Sequence, residues 1–434
     1  MNRINLFRIG QKSFNISIIF LMTAPFLSGL FLLLSLIISI ILKGEFLIKN
    51  KWNYPILISI GILFLSCIRN TIFNTQEINQ NLTLWVDVFN WIPFLLIFIF
   101  IPLYISSINQ KILFSKLLII SNVPLLISCF LQKHFEIYGP FSILNGLIVW
   151  YQRVPGETTI STTGLFNNPN YAGFALVTMV PFIFFNIGIN NKSITNKLIT
   201  IFILLITIYT IFITNSRNAY IGLLISFLLS FGIKIIYIIV ISVLLILPIN
   251  IIIFNLFNLE TLSIVSKQTL IDFYHKIISI RIGNILFTQR VEIWNKAINL
   301  IFQKPILGWG ASTFSFLYLK NNGLYGAQHT HNIILQISQN YGIPFAILIS
   351  GTVLLLTFKS VKILRKVKNE KNLINKFWII SLLVAIFHLL FDIVLFDLRL
   401  NILFCILITG SKILVLENKN DDDFNFKDYS ITNK

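Results

Sequence analysis

Apolar runs alternate with short polar breaks almost from end to end of this sequence. Windows of about 17 or more apolar residues can each cross a bilayer core of roughly 30 Å. They fall near 54–70, 89–107, 113–132, 171–188, 197–214, 217–232, 235–257, 343–361, 376–396 and 399–416. The stretch 14–42 is long for one helix and short for two. Two segments break the pattern, one at about 133–170 and the longest loop at about 258–342. Loops without a job are usually short, so function is expected in these two. Within the longer one, Val291, Trp294, Ala297, Ile298 and Ile301 recur at helical spacing. That helix should stop before Lys304-Pro305, because the residue preceding a proline is pushed out of helical geometry.

Composition agrees with a membrane protein. The chain has 434 residues, of which 56% are hydrophobic and 12% charged, where a soluble protein carries roughly 25% charged residues. A secretory signal would be a single apolar run ahead of a soluble chain, which this is not. The net charge of +18 would suggest nucleic acid on a soluble protein. Here the basic residues sit in short loops, so the charge reads as topology and no nucleic acid is expected. Arg3, Arg8 and Lys12 precede the stretch 14–42, and Lys43, Lys49 and Lys51 follow it. Both flanks should be cytoplasmic, which splits 14–42 into two short helices turning near Pro25 or Ser28-Gly29. Lys111, Lys116, Lys192, Lys197, Lys234 and the basic run from Lys359 to Lys376 fall on the same side.

The expected architecture is therefore all-α: a polytopic membrane protein of about 12 transmembrane helices, with one long periplasmic loop containing short helices. Both termini are cytoplasmic. Residues 1–257 form an N-terminal transmembrane region, 258–342 the periplasmic loop, 343–416 the C-terminal spans and 417–434 an acidic cytoplasmic tail. Cys67, Cys129 and Cys405 lie far apart inside apolar runs, with neither a disulfide framework nor zinc spacing.

Chemistry is concentrated in the two outer segments. Gln328-His329-Thr330-His331-Asn332 closes the long loop. Two histidines two apart lie on opposite sides of a strand, and no outer cluster of Asp, Glu or Cys is evident to complete a metal site. One histidine acting as general base fits better, since imidazole accepts a proton near neutral pH; a loop histidine bonded to backbone is the bland alternative. Arg153, Arg217, Arg281 and Arg290 are the outer arginines. Guanidinium matches phosphate in a bidentate way, and snorkelling to headgroups is the competing explanation. The turns Gly164 to Asn170 and Pro305 to Gly310 are candidates for shaping a cavity. There is no outer Asp-x-Asp pair, no P-loop and no dinucleotide fingerprint, so metal-assisted and nucleotide-driven chemistry lose ground.

Five motifs in order resemble the O-antigen ligase and polymerase superfamily. They are Phe166-Asn-Asn-Pro-Asn170-Tyr-Ala-Gly, Ser216-Arg217-Asn-Ala, Arg290-x-x-x-Trp294-x-x-Ala297, Pro305-x-x-Gly308-Trp309-Gly310 and His331-Asn332. Nine residues then lead to Gly342-Ile343-Pro344-Phe345, where Phe345 departs from the usual Gly, Thr or Tyr. The resemblance implies a GT-C-like fold in the inner membrane and a metal-independent, inverting glycosyltransferase without cofactor. Its donor would be a polyprenyl-diphosphate-linked glycan, and its acceptor a glycan or lipid hydroxyl on the periplasmic side. Under it His331 takes the catalytic histidine position, and Arg217 and Arg290, with Arg281 or Arg153, the diphosphate-binding positions. Asn170, Trp309, Asn332, His329 and Asp392 would shape the site. A polymerase, or an oligosaccharyltransferase acting on protein, differs from a ligase only in acceptor. Phe89 to Pro93 and the run Gly139 to Tyr151 also resemble a branch some of whose members are labelled inorganic-carbon transporters. A transporter should place its charged residues near the middle of its spans, whereas these candidates line one rim.

Overall fold

The computed structural model describes residues 2–73, 81–154, 161–189, 193–233, 283–321, 323, 326–366 and 373–418. Helices α1 (Arg3–Phe20) and α2 (Pro25–Ile48) form an antiparallel hairpin. The stretch 14–42 is thus two helices, broken where Pro25 pulls Ala24 out of helical geometry (ψ 75°). They are followed by α3 (Tyr54–Phe73), α4 (Asn81–Phe100), the short α5 (Pro102–Ile105) and α6 (Ile108–His134). Then come α7 (Pro169–Gly188), α8 (Ile194–Ile213) and α9 (Arg217–Phe231).

After the undescribed stretch lie α10 (Gly283–Gln303), α11 (Phe314–Lys320), α12 (Ile333–Tyr341), α13 (Ile343–Lys366), α14 (Leu373–Leu389) and α15 (Leu398–Asn418). Helix α10 stops ahead of Lys304-Pro305, as the spacing predicts. Seven described helices are long and apolar enough to cross a membrane. Helices α1 and α4 are not among the seven, and α9 and α14 are apolar but shorter. The expected span 235–257, the residue Arg281 and most of the tail 417–434 lie outside the described residues.

The all-α expectation is corrected in one place. Between α6 and α7, β1 (Phe141–Ile143) pairs antiparallel with β2 (Ile148–Trp150), with Phe141 opposite Trp150 and Ile143 opposite Ile148. Apolar residues rich in Ile, Val and aromatics on either side of Asn145-Gly146 favour such a hairpin.

Burial divides the helices into a centre and a rim. In α15, 94% of the spanning window is buried, and in α7 83%, whereas α2, α3, α8 and α13 bury a third or less and expose apolar side chains. Pro102, lacking an N–H, leaves the Phe98 carbonyl without its helical donor. The fully buried Lys412 supplies one, its Nζ donating to Phe98 O at 3.1 Å and to Asn53 Oδ1 at 2.7 Å. Ser39 Oγ serves the next exposed carbonyl, Phe100 O, at 2.6 Å.

The long loop is built on the bundle by backbone locks. Trp309 N donates to Gln339 O (2.8 Å), Gly310 N to Asn340 O (2.9 Å) and Ile343 N to Pro305 O (2.7 Å). Gly342, at φ +91°, comes so close that a Cβ there would lie 2.0 Å from Ile306 O. The turn Pro305 to Gly310 therefore joins α10 to the C-terminus of α12. A separate small core of Ile293, Ala297, Leu300, Phe314, Leu317, Tyr318 and Ala327 fills the loop region.

Candidate active site

Three helix starts meet at one buried carboxylate. Helix α7 is capped by Asn168, whose side chain accepts from Asn170 N at 2.8 Å. Helix α9 is capped by Ser216, accepting from Ala219 N at 3.4 Å. Helix α12 is capped by Asn332, whose Oδ1 accepts from Ile334 N (2.9 Å) and Leu335 N (3.1 Å). These are the residue types that satisfy the free N–H groups of a first turn. The carboxylate belongs to Asp392, 1% exposed, in the irregular segment between α14 and α15. The apolar run 376–396 reads as one span in sequence, but the helix ends at Leu389 and frees Asp392 to face these termini.

The polar contacts form a chain. Ser216 Oγ donates to Asn170 Oδ1 at 2.8 Å, and Asn170 Nδ2 to Asp392 Oδ2 at 2.6 Å. Asp392 Oδ1 accepts from Ile393 N at 2.8 Å and faces His331 Nδ1 at 3.3 Å. With an ionised carboxylate as partner, His331 carries its proton on Nδ1, which leaves Nε2 as the acceptor. The His331 side chain is 32% exposed, so solvent or substrate can reach the ring.

Left-handed backbone sets the ring there: His331 has φ +52°, a conformation uncommon outside glycine and worth a functional reading. Its neighbours hold it in place. Thr330 is bonded through its carbonyl to Trp294 Nε1 (2.9 Å) and through its N–H to Gln336 Oε1 (3.0 Å). Asn332 Nδ2 donates to Leu390 O at 3.1 Å, fastening the loop to the segment that carries Asp392.

His331 N–H donates to His329 Nδ1 at 3.3 Å, and the two rings sit edge to face with centroids 4.3 Å apart. The backbone turn places both imidazoles on one side, where alternation along a strand would have separated them. His329, His331 and Asp392 each bring a ligand atom within 4.8 Å of the others, a set that could hold a metal ion. This corrects the expectation that no acid completes the histidine pair. Both Nδ1 atoms are engaged in hydrogen bonds, so a metal bound through them would have to displace those bonds.

Electrostatics follow from burial and neighbours. Burial alone would raise the Asp392 carboxyl. The hydrogen bond from His331 and the nearby imidazoles of His329, His331 and His388 outweigh it and hold the carboxyl well below the usual carboxylate range. Burial, reinforced by His331, pushes the His329 imidazole down to about 4, with Asp392 opposing. Burial also lowers Arg290, which feels the attraction of Asp392 and the repulsion of Arg217. Arg290 on α10 and Arg217 at the first position of α9 therefore share one field with Asp392. Three helix N-termini gather near this carboxylate with Arg290 and, beside Arg290, Arg217, a positive potential that suits an anion.

Other candidates lie elsewhere. Arg153 is exposed at the exit of the hairpin, with no described contact to this cluster. Trp309 donates from Nε1 to Leu300 O at 2.8 Å and lies under Lys304 Nζ at 3.9 Å, so it closes the loop core. Ser216, Gln336 and Trp294 are positioning residues that sequence reasoning did not single out for the site. Ser216 and Trp294 stand in the motifs without having been given a role, and Gln336 had no local mark beyond helical context. His388, fully buried one turn before Asp392, stands edge to face with Phe174 at 5.3 Å, and its ring nitrogens have no hydrogen-bond partner among the described residues.

Comparison with known proteins bears on this geometry. Residues 202–350 match the family model described as O-Antigen ligase. This match, over about a third of the chain, supports the O-antigen ligase superfamily. The match spans Arg217, Arg290 and His331, whereas Asn170 and Asp392 fall on either side of it and join the cluster through the fold. No curated protein matches the chain. With the apolar helices, the matched domain supports a multi-pass membrane protein of the O-antigen ligase and polymerase type. That is a class of membrane glycosyltransferases in polysaccharide and lipopolysaccharide biosynthesis.

Proposed function

We propose that this O-antigen ligase-type protein moves a glycan from a polyprenyl-diphosphate carrier to an acceptor hydroxyl at the periplasmic face of the inner membrane. The observation that carries the reading is the His331–Asp392 pair, set among three helix N-termini beside Arg217 and Arg290. Nε2 of His331 takes the proton of the acceptor hydroxyl as its oxygen attacks the anomeric carbon. The C–O bond to the diphosphate breaks, and the diphosphate leaves with the electron pair. Attack opposite the leaving group inverts the anomeric centre.

Asp392 fixes the tautomer of His331 and stabilises the imidazolium that forms. Arg217 and Arg290 neutralise the diphosphate, the electrostatic part of catalysis. Since a diphosphate is already a good leaving group, the reaction calls for neither metal nor nucleotide. In this reading 258–342 is the periplasmic region that brings Arg290 and His331 over the membrane rim, and both chain termini are cytoplasmic.

A crevice supports a lipid-linked donor. A shallow apolar crevice lies between α4, α12, α13, α14 and α15, bordered by Ile333 and Ile334 next to Asn332 and by Leu389 and Leu390 next to Asp392. A prenyl tail entering there would leave its headgroup at the polar cluster.

Deletion of the protein, followed by analysis of carrier-linked glycans, tests the reading. Accumulated long chains on the carrier identify a ligase, and accumulated single units a polymerase. An unaltered pool of carrier-linked glycans and a normal cell surface would overturn it.

A further inference from the structure

The segment between α6 and α7 carries a surface that the transfer reaction does not use. From Ile137 to Gln152 there is no charged residue, although a water-facing stretch of that length would carry about four at the usual frequency of roughly 25%. The apolar side chains are not turned inward. Phe141 is 40% exposed, Ile143 44%, Leu144 54% and Leu147 51%. An exposed apolar patch of this kind marks contact with a membrane or a partner.

Two features choose between them. First, the patch continues the lipid-facing side of α6. Leu113, Ile120 and Ile127 form an exposed stripe on that helix, which passes through Phe130 to Phe135 and Ile137 and so reaches the hairpin. Second, the chain folds back toward the bilayer after α6 ends. Trp150 Nε1 donates to Thr23 O at 2.7 Å, in the turn between α1 and α2. Met22 in the same turn bonds to Ser121 Oγ at 3.2 Å. Ser121 lies thirteen residues before the end of α6, roughly 20 Å down the helix axis. The base of the hairpin is thereby tied to the bundle below the end of α6.

We propose that the β1–β2 hairpin lies in the headgroup and acyl boundary of the leaflet on the His331 side, its apolar tip in contact with lipid. The outer edges of a two-stranded ribbon would leave unpaired backbone groups in hydrocarbon, so the hairpin rests in the interface, where amphipathic elements sink roughly 5–10 Å. Its anchor matters to the site. Gln152 N donates to Gly164 O at 2.9 Å and Gln132 Oε1 accepts from Thr163 N and Gly164 N. That turn leads into Asn168 and Asn170. The hairpin thus references the start of α7 to the surface from which a lipid substrate would arrive.

The test uses the full chain in phospholipid vesicles, with Leu144→Cys carrying an environment-sensitive fluorophore. All three native cysteines are buried, which keeps the label specific. The proposal predicts strong quenching by a nitroxide high on the lipid chain, weaker quenching by one near the chain end, and shielding from aqueous iodide. Free quenching by iodide would overturn it in favour of a water-exposed loop. Protection from both quenchers would overturn it in favour of a protein contact. Leu147→Cys supplies the same readout should the first variant fail to fold. The outcome does not depend on whether the chain transfers glycans.

Discussion

Replacing Asp392 by asparagine keeps the shape of the side chain while removing its charge, and the surrounding hydrogen bonds determine how the site responds. Oδ1 accepts from Ile393 N and faces His331 Nδ1, so that position must stay an oxygen. The new amide nitrogen then takes the place of Oδ2, opposite Asn170 Nδ2 at 2.6 Å. Two donors cannot face each other. The Asn170 amide turns over, and the Ser216 hydroxyl, now a donor to Asn170 Oδ1, must accept instead. The network can therefore survive inverted, and the fold should persist.

The substitution removes the charge that holds the Nδ1 proton and stabilises the imidazolium. A hydrogen bond to a charged group contributes about 1.5–3 kcal/mol. If that is felt only in the transition state, transfer slows roughly 10- to 150-fold. The assay is the initial rate of glycan transfer in proteoliposomes for Asp392→Asn, His331→Ala and the double variant, with thermal melting as a control for folding. Since Asp392 acts through His331, the double variant should be no slower than His331→Ala alone. A wild-type rate for Asp392→Asn would refute the reasoning, as would a loss that multiplies with that of His331→Ala.

Arg217→Ala should raise the KM for the carrier-linked donor roughly tenfold or more, on the scale of one charge-assisted hydrogen bond, and donor titration reads this out. His329 has an imidazole depressed to about 4 in the folded chain, against about 6.5 when unfolded. The unfolded state binds the extra proton between those values, so this stabilisation is present above about 6.5 and lost as pH falls toward 4. Melting temperatures should decline over that window, and less steeply in His329→Asn. Gly342→Ala should lower the melting temperature by several degrees, since a Cβ would meet Ile306 O at a positive φ, a strain of about 1–3 kcal/mol; an unchanged melt would contradict the backbone lock.

The membrane helices were legible because their apolar windows are long. Pro25 and the flanking lysines correctly split 14–42. The end of α10 was legible from Pro305. Asp392 was harder to place as a partner, because it sits in an apolar run and meets Asn170 and His331 across 222 and 61 residues. No local spacing records such a meeting. His329 and His331 converge only because His331 adopts a left-handed backbone, which residue type alone does not announce. The hairpin was legible in principle from Asn145-Gly146 between two apolar runs, but within a chain this apolar it read as loop. Trp309 stands in the same motif as Gly308 and Gly310, and its ring closes the loop core, whereas Trp294 on the neighbouring motif holds the histidine loop.

The central claim is that His331 is the base of a glycan transfer that needs only the protein, a carrier-linked donor and an acceptor. Purified protein in proteoliposomes, given both substrates and a chelator, measures it directly. The account predicts transfer that persists with the chelator and falls on the order of 10²–10⁴ in His331→Ala, with that variant still folded. Transfer by folded His331→Ala at the wild-type rate, or transfer abolished by the chelator and restored by a divalent metal, would contradict it.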